Sequence, residues 1–451
     1  MNIDKLTLIW SGAVIAWARR RDEYTASGFI HKCCSREFWR ESSGRTRAAI
    51  IAAFALRPLM ILLLAAYCSG RNGPQIKRRN GKGILRQFLE QTELAHAHCI
   101  LPPWYYILEF YDDSKRHRAA EYLNRFETKH FAYRFVRKYR CAPMGAPDTT
   151  QFLSNKALFA QRCETYGLAV IPALLVAADN RLSHGFGGEE ATALPRFDLF
   201  FKPLTGAGGR GAERWNYEKS GLYRSSDGMR RNEAELLDHL RALSERKRYI
   251  VRPRCVNRAE ISDLGNGALS TVRVMTCRNE CDECEVTTAV FRMAQGETAV
   301  VDNFHAGGIV APVDIHTGVL GYGIDGGKLG GGARRFERHP DTGGRIAGRR
   351  LPCWQEVLDL ARSAHAKAFA DQITVGWDIA LTDDGPKLVE GNKGPCVDLL
   401  QRPHGSPLGT SRFGELLAFN LKRAMALKYS GEEALRHGQR GWLRGPSPGS
   451  G

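Results

Sequence analysis

Residues 374–392, TVGWDIALTDDGPKLVEGN, set the strongest constraint on what this chain can fold into. Two β-like runs, near 373–380 and 386–391, flank Thr382-Asp383-Asp384-Gly385, a sequence suited to a tight turn. The segment therefore reads as a hairpin. Asp378 falls between Trp377 and Ile379 in an otherwise apolar strand, where a carboxylate without a partner is costly to bury. With the hairpin centred on Asp384, Asp378 stands opposite Glu390 at a Cβ separation of roughly 4.5–5.5 Å. Period-2 alternation brings Asn392 to the face of Glu390. Two carboxylates and an amide oxygen converging from a rigid sheet form the donor set of a hard cation, magnesium shared with phosphates. The plainer reading is a solvated acidic hairpin; the apolar neighbours of Asp378 weigh against it.

A second segment, DLFFKPLTGAGGRG at 198–211, carries Lys202 on a strand into a loop with Gly206, Gly208, Gly209 and Gly211. Glycines let backbone N–H groups approach phosphate oxygens closely, and Lys202 adds a point charge. No Gly-Lys-Ser/Thr follows, which excludes a Walker A loop. The extended run AERWNY stands where a dinucleotide fingerprint needs a helix. Alone, the loop reads slightly better as a flexible hairpin. A third segment, LSTVRVMTCRNECDECEVTTAVFRM at 269–293, holds two strands about a polar turn. Arg273 and Arg292 are symmetric about its midpoint, so they are expected to meet across the hairpin, where two guanidinium groups repel unless an anion sits between them. Pairing of each with surface acids is the alternative. Cys277, Cys281 and Cys284 at the turn match neither a structural zinc site nor a cluster motif well, and read as free thiols.

Elsewhere, residues 1–145 read as mostly helical, with segments near 86–99 and 115–140, and Pro143, Gly145 and Pro147 mark a boundary. Helices near 152–167, 233–246, 353–371 and 410–428 alternate with strands near 168–172, 197–202, 248–255, 270–277, 285–293 and 298–302. A tail from about 430 reads as disordered. The fold class is α+β, mixed α/β.

The net charge of +17 over 451 residues is uneven. Residues 1–150 hold 25 Lys and Arg against 13 Asp and Glu, so +12 lies there. Such a surface favours anionic partners, an anionic membrane among them, though a solvated basic surface explains it equally well. Residues 48–68 are long and apolar enough to span a bilayer, but Arg57-Pro58 sits at their centre. A mid-bilayer Arg costs about 2.5–3.5 kcal/mol, and Pro breaks or kinks a helix. A buried or interface-lying helix pair is the preferred reading. Twelve scattered cysteines in a chain this long argue for reduced thiols and a cytoplasmic setting.

In combination, Ser154-Asn155-Lys156, FFKPLTGAGGRG, YIVRPR, LSTVRVMT, VDNFHAGGIVAPVD and GWDIALTDDGPKLVEGN resemble the ATP-grasp superfamily, most closely its sugar-transfer-associated group, related to α-L-glutamate ligases. The resemblance covers about 150–428. It implies two α+β subdomains clasping ATP: residues 149–429, divided into lobes of about 149–250 and 251–429, behind a basic helical region at 1–148. It implies ATP and Mg²⁺ as cofactors. Lys156 and Lys202 would contact the nucleotide phosphates, and Gly206, Gly208, Gly209 and Arg210 would form a lid over them. Val251 and Arg252 would lie at the hinge beside adenine, where Arg252 stands in place of the expected Gln or Glu. Asp378, Glu390 and Asn392 would hold magnesium, and Arg273 and Arg292 would stabilise phosphate or acyl phosphate. The implied reaction is carboxylate–amine ligation through an acyl phosphate, with a sugar or amino acid among the substrates, in bacterial polysaccharide or cell-envelope glycan synthesis. Phosphotransfer on the same fold is the alternative. A second is a non-catalytic basic protein binding membrane or nucleic acid, against which the intact Asp378, Glu390 and Asn392 set argues.

Overall fold

A computed structural model describes residues 24–139, 147–185, 187–205, 211–296, 301–302, 304, 307–326, 333–394 and 396–442, with side chains to Ser430. Two antiparallel seven-stranded sheets organise it. The first contains β1 (Leu175–Ala178), β2 (Arg181–His184), β3 (Leu199–Pro203), β4 (Glu213–Tyr217), β5 (Tyr223–Ser225), β6 (Arg230–Arg231) and β7 (Tyr249–Pro253), in the order β2-β1-β7-β3-β4-β5-β6. The second contains β8 (Thr271–Arg278), β9 (Cys284–Met293), β10 (Ile309–Val313), β11 (Gly323–Asp325), β12 (Arg335–Phe336), β13 (Thr374–Thr382) and β14 (Gly385–Lys393), in the order β12-β11-β10-β9-β8-β13-β14.

The first sheet packs Leu199, Phe201, Trp215 and Val251 against Leu236, Leu237 and Leu240 of the helix Glu233–Arg246. That helix starts at a capping box: Asn232 accepts from the Glu235 N–H, and the Glu235 side chain accepts from the Asn232 N–H. The second sheet is covered on both faces. Val272, Val274, Val375, Trp377 and Ile379 pack with Val357, Leu358 and Ala361 of the helix Trp354–Ser363. The alternate residues Met275, Cys277 and Val290 pack with Ile30, Phe126, Leu400 and Phe413. The helix Ala26–Glu41 from the N-terminal region therefore shares a core with the second sheet.

Several expected elements differ. The run 168–172 is not a strand: Pro172 ends it, and it makes only a bridge to β14, with Ile171 N–H donating to Leu388 O and Leu388 N–H to Ala169 O. The expected helix over 115–140 breaks into Asp113–Arg116, Ala119–Glu121, a π-turn Phe126–Ala132 and Tyr133–Lys138. The break occurs where Gln401 accepts the Leu123 N–H at 2.9 Å. In place of a helix pair in 48–68, one helix runs from Gly44 to Asn80 with Pro58 and Pro74 inside it. The last helix, Arg412–Trp442, continues past residue 430, through the helix-favouring run Glu432–Arg436. The expected strand 298–302 lies mostly outside the described residues.

Candidate active site

The site is built on β13 and β14. The turn holds two residues, Asp383 and Asp384, between paired Thr382 and Gly385. A regular ladder from such a turn would pair Asp378 with Val389. A bulge intervenes: Ile379 pairs with Leu388, Asp378 with Glu390, and Val389 has no place in the register. This irregularity sets which face each side chain takes. Leu388 belongs to the core, and a Cβ on Gly391 would meet the core side chains Leu153, Phe159 and Trp377. Without the extra residue, period-2 alternation would turn Glu390 and Asn392 to the core with Leu388. With it, Glu390 shares the face of Asp378, and Gly376 pairs with Asn392 beside them. Asn392 Nδ2 lies 3.4 Å from Glu390 Oε1.

The two arginines do not sit directly opposite. The turn between β8 and β9 centres on Cys281, because Asn279 Oδ1 accepts the backbone N–H groups of Cys281 and Glu283. A bulge follows between Met275 and Thr276, so Arg273 pairs with Val290 and Arg292 with Thr271. The arginines are diagonal neighbours, and the anion between them is Asp378, brought by the pairing of β13 with β8. Arg273 donates to both carboxylate oxygens of Asp378, through Nε to Oδ1 and through Nη2 to Oδ2 at 2.9 Å. Arg292 Nη1 donates to Asp378 Oδ2 at 2.9 Å and its Nη2 to Asp302 Oδ1 at 2.7 Å. Thr271 Oγ1 donates to the other oxygen of Asp302. Burial alone would raise the Asp378 pKa; the charges of Arg273 and Arg292 outweigh it and hold the carboxyl below its usual range. Burial raises the Asp302 pKa, with Arg292 opposing. Asp302 and Thr271 were not singled out from sequence. Asp302 lies in the VDNFHAGG run, but nothing in spacing tied it to Arg292.

Lys202 extends from β3 with its Nζ 3.7 Å from Glu390 Oε2. Burial, reinforced by Arg252, pushes its pKa down to about 7. Burial also lowers the pKa of Lys156, whose Nζ lies 3.4 Å from Leu204 O. Lys156 opens the helix Lys156–Thr165, capped by Asn155, whose Oδ1 accepts from Ala157 and Leu158 N–H. Arg252 is 2% exposed and turned inward: Nη1 donates to Val389 O at 2.9 Å and Nη2 to Lys156 O at 3.0 Å. Val251 is a core side chain of the first sheet. The candidate residues Gly206, Gly208, Gly209 and Arg210 lie outside the described residues.

Asp378, Glu390, Lys202, Lys156, Arg273 and Arg292 thus form one charged cluster with Asn392 at its edge. For magnesium the donors are suitable: two carboxylates and an amide oxygen are hard ligands. A carboxylate offers about four lone-pair sites; on Asp378 three meet guanidinium groups, and the Glu390 carboxyl lies beside them. The donor set fits a hard cation, with Lys202 beside Glu390 and with Arg273 and Arg292 engaged by Asp378 and Asp302.

A family model described as sugar-transfer associated ATP-grasp matches residues 137–412. Among curated proteins no sequence matches. Solved structures resemble the chain only distantly. D-cycloserine synthetase DcsG is 15% identical, over 60% of this chain and 71% of that one, with a TM-score of 0.32. D-alanine–D-alanine ligase from Bacillus anthracis is 12% identical, over 62% and 70%, with a TM-score of 0.34. N5-carboxyaminoimidazole synthetase from Staphylococcus aureus, complexed with ADP, is 9% identical, over 54% and 44%, with a TM-score of 0.29.

Proposed function

Because this chain belongs to the sugar-transfer-associated ATP-grasp family, we propose that it is an ADP-forming ligase that joins a carboxylate to an amine using ATP and magnesium. The observation that carries this reading is the convergence of Arg273, Arg292 and Lys202 on the Asp378–Glu390 pair. Asp378, Glu390 and Asn392 would hold magnesium, which when bound draws charge from the phosphate oxygens. Lys156 and Lys202 receive the nucleotide phosphates. The substrate carboxylate attacks the γ-phosphorus of ATP, the bond to the bridging oxygen breaks, and ADP leaves. The amine then adds to the acyl carbon, loses a proton, and phosphate departs. Arg273 and Arg292 serve the transferred phosphoryl group and the acyl phosphate, so the protein's share is positioning and charge. The catalytic region is 149–429, behind the basic region 1–148, and the family's description supports a substrate from glycan synthesis.

Nucleotide-product analysis tests the reading. With a panel of acidic sugars and amino acids, ADP is expected only with the right carboxylate, and hydroxylamine should trap the intermediate as a hydroxamate. A stable phosphoester with no hydroxamate would establish phosphotransfer in its place. Arg273→Lys and Arg292→Lys each lose the planar fork. Each should lower turnover at least about tenfold, roughly 1.4 kcal/mol, while ATP affinity changes less.

A proton linkage follows from Lys202. In the free protein its pKa is about 7, and phosphate contact raises it. ATP binding should therefore take up a proton, and affinity should be greatest below pH 7 and fall as pH rises toward the pKa in the complex. Titration calorimetry at about pH 8 in buffers of different ionisation enthalpy measures the uptake. Lys202→Met should abolish it; the absence of any uptake in the wild-type protein would show that phosphate does not reach this lysine.

A further inference from the structure

The helix Gly44–Asn80 turns a narrow stripe inward: Ile50, Ala53, Arg57, Ile61, Ala65 and Cys68, at steps of three and four, are buried. Arg57 belongs to this stripe and donates through Nη2 to Ala95 O of the helix Ile84–His98, with Cys99 Sγ at 3.7 Å. The other faces are apolar and open. The most apolar 18-residue window has a mean hydropathy of 2.3, yet only 28% of it is buried. Ile51, Leu59, Leu63 and Tyr67 are about six-tenths exposed, and Leu85 and Leu89 on the neighbouring helix are exposed as well. Folded monomers rarely leave so long an apolar band in water.

Charge identifies the occupant. Between Glu41 and Glu90 the chain has nine Lys and Arg and no acid. Arg45 stands exposed before the apolar band, and Arg71, Lys77 and Arg78 after it. Pairing of this face with a second copy through a twofold axis would set basic ends against basic ends, and the helix itself carries no carboxylate to answer them. A transmembrane position would strip the helix from Ala95 and release Arg57, Ser69 and Asn72 from the buried stripe into hydrocarbon. An apolar face between basic ends, on a helix held to the protein along its opposite side, suits the interface of an anionic bilayer.

We propose that the helix Gly44–Asn80 lies in the plane of an anionic phospholipid membrane, with Leu59 and Leu63 in the acyl boundary and the basic residues at its ends on headgroups. This face is separate from the charged cluster on β13 and β14, so the inference stands whether or not the ligase reading holds. Flotation of the full chain tests it, with vesicles of phosphatidylcholine alone and of phosphatidylcholine with phosphatidylglycerol. Binding to the anionic vesicles is expected at low salt. Raising the ionic strength from about 0.1 M to about 1 M, which shortens the Debye length from about 10 Å to about 3 Å, should weaken it about tenfold or more. L59E/L63E should abolish flotation while leaving binding of a fluorescent ATP analogue unchanged. The proposal fails if the protein does not float at low salt, if neutral vesicles bind it equally, or if alkaline carbonate cannot extract it. It fails equally if light scattering without vesicles shows a dimer that L59E/L63E dissolves.

Discussion

Glu390→Gln should lower ATP turnover by a hundred- to a thousand-fold, about 2.7–4 kcal/mol of transition-state stabilisation, with the fold intact. The size follows from position. Glu390 lies at the end of β14, opposite Asp378 and 3.7 Å from Lys202 Nζ, so its charge faces the place where a metal and transferred phosphate would meet. The side chain is about three-tenths exposed and contributes nothing to the core. The amide is isosteric and leaves Asn392 a partner, so the thermal transition of the nucleotide-free variant should match the wild type. Steady-state ADP release over a magnesium titration is the measurement. A variant that turns over at near the wild-type rate in saturating magnesium would remove Glu390 from the metal set and, with it, the reading of the hairpin as the catalytic centre.

Trp377→Ala should cost about 3–5 kcal/mol of folding stability, the range for emptying a buried aromatic site. Trp377 is fully buried and donates through Nε1 to Thr276 Oγ1 at 2.8 Å. Its ring meets Phe369 edge to face at 5.4 Å and lies 6.4 Å from Phe159. Removing it opens a cavity in the core of the second sheet and leaves the Thr276 hydroxyl without this partner. The urea midpoint of the nucleotide-free protein should drop accordingly, with Trp377→Phe recovering most of the loss. A change below about 1 kcal/mol would mean that the surroundings collapse onto the vacancy and that the indole is not what holds β13 level.

The pairing of Asp378 with Glu390 was legible in the sequence, but for an incomplete reason. A separation of twelve residues cannot be met by a two-residue turn in a regular ladder, so it implied either a turn centred on Asp384 or an extra residue in one strand. Both choices put the same residues opposite, and only the structure distinguishes them. The arginine pair shows the reverse situation. Symmetry about the turn suggested direct opposition, yet the Asn279 side chain draws the turn toward Cys281 and displaces the register. An anion between the arginines was foreseeable from repulsion alone. That it is Asp378 was not, because neighbourship of β8 and β13 bridges about a hundred residues that no local pattern encodes. Short strands such as β5 and β6 escaped notice because two or three residues carry too little periodicity to read.

The extra residue in β14 also governs how the two sheets are joined. Val389, with no place in the ladder, offers its carbonyl to Arg252 of β7, and the same guanidinium reaches Lys156 O. One side chain thus fastens a strand of each sheet to the end of a helix, next to the paired carboxylates. The buried guanidinium ties the irregular point of β14, beside Glu390, to β7 and to the start of the Lys156 helix. The acidic pair is thereby aligned with the Lys156 helix through one buried side chain.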